Sequence, residues 1–220
     1  MTEQGYAKPI RLLHSLLALC MLTQLAIGEL MDVPEVEDEP AAGIAWIMPA
    51  YAHEGHHHAV PGVPVEATLG FEVHEYLGLV IAALILMRVM LAMSSLPGAG
   101  WCELLPWASA AGRKQMGREI QSQMAGWKQG KLAPPEDGEV LARCVHGLIL
   151  LAAIIMGITG TVLYFSWSTV APQTELIELV ASTHEVVVGG LEGLLGAHVL
   201  AVIMHQRQGH NIIARIKPGA

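Results

Sequence analysis

Four apolar stretches dominate this 220-residue chain: Ile10 to Met31, Leu69 to Leu96, Val140 to Phe165 and Leu176 to Met204. Each matches or exceeds the roughly 20 apolar residues needed to cross the hydrocarbon core of a bilayer. In that medium the backbone has no water to bond, so each run must satisfy its own hydrogen bonds as an α-helix. Composition agrees, with hydrophobic residues at 53%, charged residues at 15% and a mean hydropathy of +0.46. The expected fold is therefore all-α: an integral membrane four-helix bundle forming one domain over residues 1–220. Loops over 32–68 and 97–139 and a short connection near 166–173 join the spans, and no internal repeat is visible. Cys20, Cys102 and Cys144 show no paired spacing, which argues against a disulfide or a thiolate metal site.

The cations orient the bundle. Lys8 and Arg11 flank the start of the first span, and Arg88 lies near the end of the second. Arg113, Lys114, Arg118, Lys128, Lys131 and Arg143 fall in or just after the second loop, and Arg207, Arg215 and Lys217 follow the fourth span. The first and third connections contain neither Lys nor Arg. Positive residues stay on the cytoplasmic side, so both termini and the 97–139 loop are expected in the cytoplasm and the 32–68 loop in the periplasm. That topology belongs to a multi-pass protein of a bacterial inner membrane. The first span also reads as a secretory signal, with Ala50-Tyr51-Ala52 as a small-residue cleavage pattern; its length and the distance to that pattern favour a retained helix. A net charge of -8 with only 12 Lys and Arg excludes nucleic acid as a natural partner.

Histidines supply the chemistry. His184 and His198 lie fourteen residues apart in the fourth span. Fourteen helical steps return to within roughly 40° of the same azimuth and rise about 21 Å, so the two imidazoles share a face at two depths. With the amino terminus inside, His14 falls in the inner leaflet with His198, and His74 falls in the outer leaflet with His184. Ionisable residues at such depths are costly and usually serve a function, although an interhelical hydrogen bond explains any one of them. Two histidines in an apolar bundle leave Zn, Cu or Ni short of ligands, whereas a haem brings four nitrogens and needs only the two axial ones. Gly189, Gly190, Gly193 and Gly196 thin the fourth helix between its histidines, which makes room for flat macrocycles. The same small residues equally suit plain helix packing, and an oligomer stays open.

The chain resembles the bacterial cytochrome b-561 and Ni,Fe-hydrogenase b-type cytochrome family over roughly residues 8 to 217. The resemblance rests on Pro-Ile-Arg-Leu-Leu-His at 9–14, Val-His at 73–74 followed by Met-Arg at 87–88, Ile-Thr-Gly at 158–160, Thr-His-Glu at 183–185 and Gly-Ala-His at 196–198. It implies a four-helix protein with two haem b groups that exchanges electrons with quinones, His14 and His198 holding the inner haem and His74 and His184 the outer. It also implies His205 as a quinone contact. Arg11, Arg143 and Arg207 cluster at that same cytoplasmic interface, placed to hold haem propionates bidentately. Ser15 stands where many relatives carry Trp, Glu192 lies between the ligands of the fourth span, and His146 in the third span suits a structural hydrogen bond.

Charge separates the candidate partners. Glu29, Asp32, Glu35, Glu37, Asp38, Glu39, Glu54 and Glu66 crowd the first loop and its edges without a positive residue. Such a field attracts a basic protein and repels a small anion. The expected function is dihaem electron transfer between the quinone pool and a periplasmic c-type cytochrome or oxidoreductase subunit. Superoxide oxidation and a haem-free metal-handling or scaffold role are the alternatives. For the last of these, His53, His56, His57 and His58 form a weak metal-binding cluster. The second loop reads as partly amphipathic from Arg118 to Trp127, suited to lie on the membrane surface and roof a quinone pocket.

Overall fold

The computed structural model describes residues 6–34, 66–94, 96, 100–128, 140–210 and 212–216. Four helices have the length and composition to cross a membrane: α1 (Lys8–Leu30), α2 (Leu69–Ala92), α5 (Val140–Ser166) and α6 (Glu175–Arg207). Between the second and third of these come a single-turn α3 (Trp101–Leu104), a 3-10 turn at Pro106–Ala108 and α4 (Ala110–Trp127); a short α7 (Ile213–Ile216) follows α6. The described residues include no strand.

The helix limits follow local chemistry. α1 carries Pro9 as its second residue, where the missing N–H costs nothing in a first turn. α2 begins where the Thr68 hydroxyl accepts from Phe71 N at 3.2 Å, and it stops short of the sequence expectation because Ser94 Oγ bonds back to Leu91 O at 2.6 Å. Ser109 caps α4 through Gly112 N at 2.9 Å and Thr174 caps α6 through Ile177 N at 3.4 Å. α6 runs three residues beyond its apolar stretch, through His205 and Arg207, because polar side chains in a last turn favour the negative end of the helix.

Packing follows chain order: α1 on α2, α2 on α5 and α5 on α6, while the seam between α1 and α6 carries little direct helix contact. The end of the bundle where α1 begins and α6 ends is called the base, and the opposite end the crown. Halfway between lies a layer of Met21, Ile81, Ile85, Ala153 and Leu191, contributed by all four long helices. Outward-facing Leu12, Leu19, Leu86, Val186 and Leu200 are exposed by 56% or more, as a lipid-facing surface requires.

The described part of the second loop, 100–128, is largely helical and packs on α5 at the base. Both Glu119 carboxylate oxygens accept from the first amides of α5, from Val140 N at 2.9 Å and Leu141 N at 2.8 Å. A carboxylate at a helix amino terminus satisfies orphan donors and complements the dipole. Met116 Sδ meets Cys144 Sγ at 3.6 Å. At Gly147 an added Cβ would strike the Leu104 carbonyl oxygen and come within 2.6 Å of the Trp107 ring, so only glycine lets this segment seat on α5. At the crown, Trp167 Nε1 donates to Pro34 O at 2.9 Å and Gln24 Nε2 to His74 O at 2.9 Å.

Candidate metal centre

The four long helices share one spacing. Seven residues before the middle-layer positions of α1 and α5, and seven after those of α2 and α6, stand His14, His146, Arg88 and His198 at the base; seven residues to the other side of each stand Gly28, Gly160, His74 and His184 at the crown. In every helix the base and crown members are fourteen residues apart, on one face and about 21 Å apart in height. His184 and His198 were the visible instance of a pattern that all four helices obey.

At the base the ligating atoms of His14, His146 and His198 lie within 4.8 Å of one another, and all three side chains are half-buried. Ring centroids are 6.4 Å apart for His14 and His198, 6.1 Å for His14 and His146, and 4.8 Å for His146 and His198. His14 and His198 approach across the loosely packed seam, as the depth argument expects. His146 is the addition. Its Nε2 is buried and has no hydrogen-bond partner, so the structural bond expected for this histidine is absent at that atom. Arg88, fourteen residues after His74 in α2, lies within electrostatic reach of His14 and His146.

The crown tier pairs imidazoles with glycines. His184 lies within electrostatic reach of His74. A Cβ on Gly28 would come to 3.3 Å from His74 Cε1, and one on Gly160 to 3.2 Å from His184 Cε1, so each ring is seated against the backbone of a neighbouring helix. His184 Nδ1 is 2.8 Å from Thr159 Oγ1. That hydroxyl already directs its proton to Ile155 O at 2.9 Å or Met156 O at 3.3 Å; its oxygen therefore accepts from Nδ1–H, and Nε2 keeps its lone pair for a metal. His74 Nδ1 is buried without a partner. A buried polar atom left so costs about 1–3 kcal/mol, a penalty that a ligand removes.

The remaining expected residues fall into place unevenly. Arg11, one turn before His14, is only 8% exposed, Arg143 is half-buried one turn before His146, and Arg207 is exposed. His205 faces a residue that sequence reasoning passed over, with His205 Nδ1 3.0 Å from His210 Nδ1; the turn at Gly209, φ +85°, folds His210 back. Glu192 is half-buried beside Leu191, outside both tiers. His53, His56, His57 and His58 lie outside the described residues.

The donor set fits a planar tetrapyrrole. It consists of paired imidazoles at two depths, two with an unpartnered buried nitrogen. The glycines of α6 do not line that site: Gly189, Gly190, Gly193 and Gly196 are exposed and lie about 120° or more around the helix from His184, which suits close helix packing instead. The family model for prokaryotic cytochrome b561 matches residues 5–219. The chain belongs to that family. It is a b-type membrane cytochrome: a multi-pass bacterial membrane protein that binds haem b and works in electron transfer. Membership sets aside the haem-free alternative. No curated protein and no solved structure matches the cytochrome.

Proposed function

We propose that this cytochrome holds two haems, one between His14 and His198 at the base and one between His74 and His184 at the crown, and carries electrons between a redox protein at the crown and quinone at the base. The observation that carries the reading is the two-tier spacing shared by the four helices, which brings imidazoles from different helices together at two heights. Haem, when bound, supplies one-electron exchange at iron. The protein's part is to present neutral imidazole nitrogens, keep them apart from lipid and water, and separate the tiers by the Met21, Ile81, Ala153 and Leu191 layer.

Charge supports the two ends' roles. Among the described residues the base carries Lys8, Arg11, Arg88, Arg113, Lys114, Arg118, Lys128, Arg143 and Arg207, while the crown carries Glu29, Asp32, Glu66, Glu72, Glu75, Glu175 and Glu178 and no Lys or Arg. The base is then cytoplasmic by the positive-inside rule. Arg11, Arg88 and Arg143 are the cations near the base tier suited to haem propionates. A basic periplasmic c-type cytochrome or oxidoreductase subunit suits the acidic crown, and superoxide, an anion, does not.

Quinone chemistry moves protons with electrons. His205 and His210, joined through Nδ1 atoms 3.0 Å apart, hold one proton between two acceptors at the base, where a quinone ring would need it. The test is a haem count and a reduced-minus-oxidised spectrum of the purified protein. Two haems per chain are expected, with one lost in His184→Ala and the other kept; a protein free of haem, or a variant that keeps both, refutes the reading. Electron exchange with a cationic c-type cytochrome should slow as salt rises, and a salt-independent rate removes the docking argument.

A further inference from the structure

Three imidazoles converge at the base, where one haem iron accepts two axial ligands. A metal–imidazole bond is about 2.0 Å long and the ring centre lies about 1.1 Å beyond the ligating nitrogen, so imidazoles on opposite sides of one iron have centroids roughly 6 Å apart. His14 meets that separation with both neighbours, at 6.4 Å to His198 and 6.1 Å to His146. His146 and His198, with centroids 4.8 Å apart, are too close to bracket an iron and stand together on one side of it.

We propose that His14 is the fixed axial ligand of the base haem and that His146 is a reserve ligand, able to take the position opposite His14 in place of His198. The inference rests on the dihaem reading above. Its second support is independent of the ring distances: His146 Nε2 is buried and bonded to nothing, so that nitrogen is uncommitted. The neighbouring glycine, Gly147, holds this stretch of α5 against the Leu104 carbonyl and the Trp107 ring, which keeps His146 at the tier. The exchange is balanced, one iron–nitrogen bond replacing another with no change in electrons or protons, provided His146 enters as neutral imidazole.

Among the described residues the crown has no such reserve. Its remaining tier positions are Gly28 and Gly160, and each lies against an imidazole already present. The crown therefore serves as the internal control: loss of His184 has no substitute within the tier, whereas loss of His198 does.

The test uses the full chain purified in detergent, with haem per chain from the pyridine haemochrome and the ligation state from the oxidised absorption and electron paramagnetic resonance spectra. Expected values are two haems for the wild type, one for His184→Ala, one for His14→Ala, two for His198→Ala with the base haem still six-coordinate and low-spin, and one for the double variant His198→Ala, His146→Leu. Loss of one haem in His198→Ala overturns the proposal, as does retention of both in the double variant. The crown haem in each base variant reports that the bundle has folded; should His198→Ala lose both haems, His198→Gln is judged by the same two results. A wild-type protein without two haems fails the dihaem reading itself and this inference with it, whereas two haems with an unrescued His198→Ala fails this inference alone.

Discussion

Replacing Thr159 by Val removes one hydroxyl and almost no volume, and on the proposed two-haem reading the consequence should appear at one haem only. In the native bundle Thr159 Oγ1 passes its proton to the carbonyl of Ile155 and accepts Nδ1–H of His184 at 2.8 Å. An acceptor behind a ligating histidine fixes its tautomer and makes the ligating nitrogen more basic, which favours ferric over ferrous iron. A hydrogen bond of this type contributes about 0.5–1.5 kcal/mol net. With about 1.4 kcal/mol per tenfold and 59 mV per tenfold for a one-electron couple, loss of the bond raises the crown haem's midpoint potential by up to about 20–60 mV, the limit reached when the bond acts only in the ferric state. Thr159→Ser, which keeps the hydroxyl, should restore the native value. A spectroelectrochemical titration measures this, with the crown band assigned from His184→Ala. Equal movement of both haems, or of neither, would refute the argument that Thr159 acts through His184.

Other substitutions probe the remaining supports. Gly160→Ala puts a Cβ at 3.2 Å from His184 Cε1, so the ring must shift by tenths of an ångström; crown haem occupancy should fall while base occupancy holds, as read from the haem count. Gly193→Leu, on an exposed face of α6 about 180° around from His184, should leave both the helical circular dichroism and the haem content intact, and a lowered content would refute the placement of the haems on the histidine face. Glu119→Ala strips the carboxylate from Val140 N and Leu141 N, at a cost of about 1–2 kcal/mol, seen as a lowered thermal midpoint and faster proteolysis between α4 and α5. Gly147→Ala brings a Cβ against the Leu104 carbonyl and should release the α3 segment from α5, perturbing the base haem spectrum while the crown band stays put.

Much of this was legible along the chain because membrane helices convert sequence distance directly into depth. Four apolar runs located α1, α2, α5 and α6 to within a few residues, and the His184 to His198 interval placed imidazoles at two heights without any coordinates. Missed were residues whose meaning depends on a neighbour. Arg88, Gly28 and Gly160 sit at the same fourteen-residue offset, yet a lone arginine or glycine in an apolar run carries no such signal until another helix is set against it. Glu119 resembles any surface acid until the amides of α5 are brought to it, and His210 lies beyond a turn whose direction Gly209 decides.

Sequence alone determined that this protein is a membrane bundle with histidines at two depths, because helical pitch is fixed by the backbone and hydrophobicity by the bilayer. Tertiary structure decided how many imidazoles meet at each depth. Depth is a one-dimensional quantity that residue spacing encodes, whereas the azimuth of one helix relative to another is set by packing. At the base, the packing of α5 against α2 and α6 turned His146 inward to join His14 and His198; at the crown the same geometry put glycines beside His74 and His184.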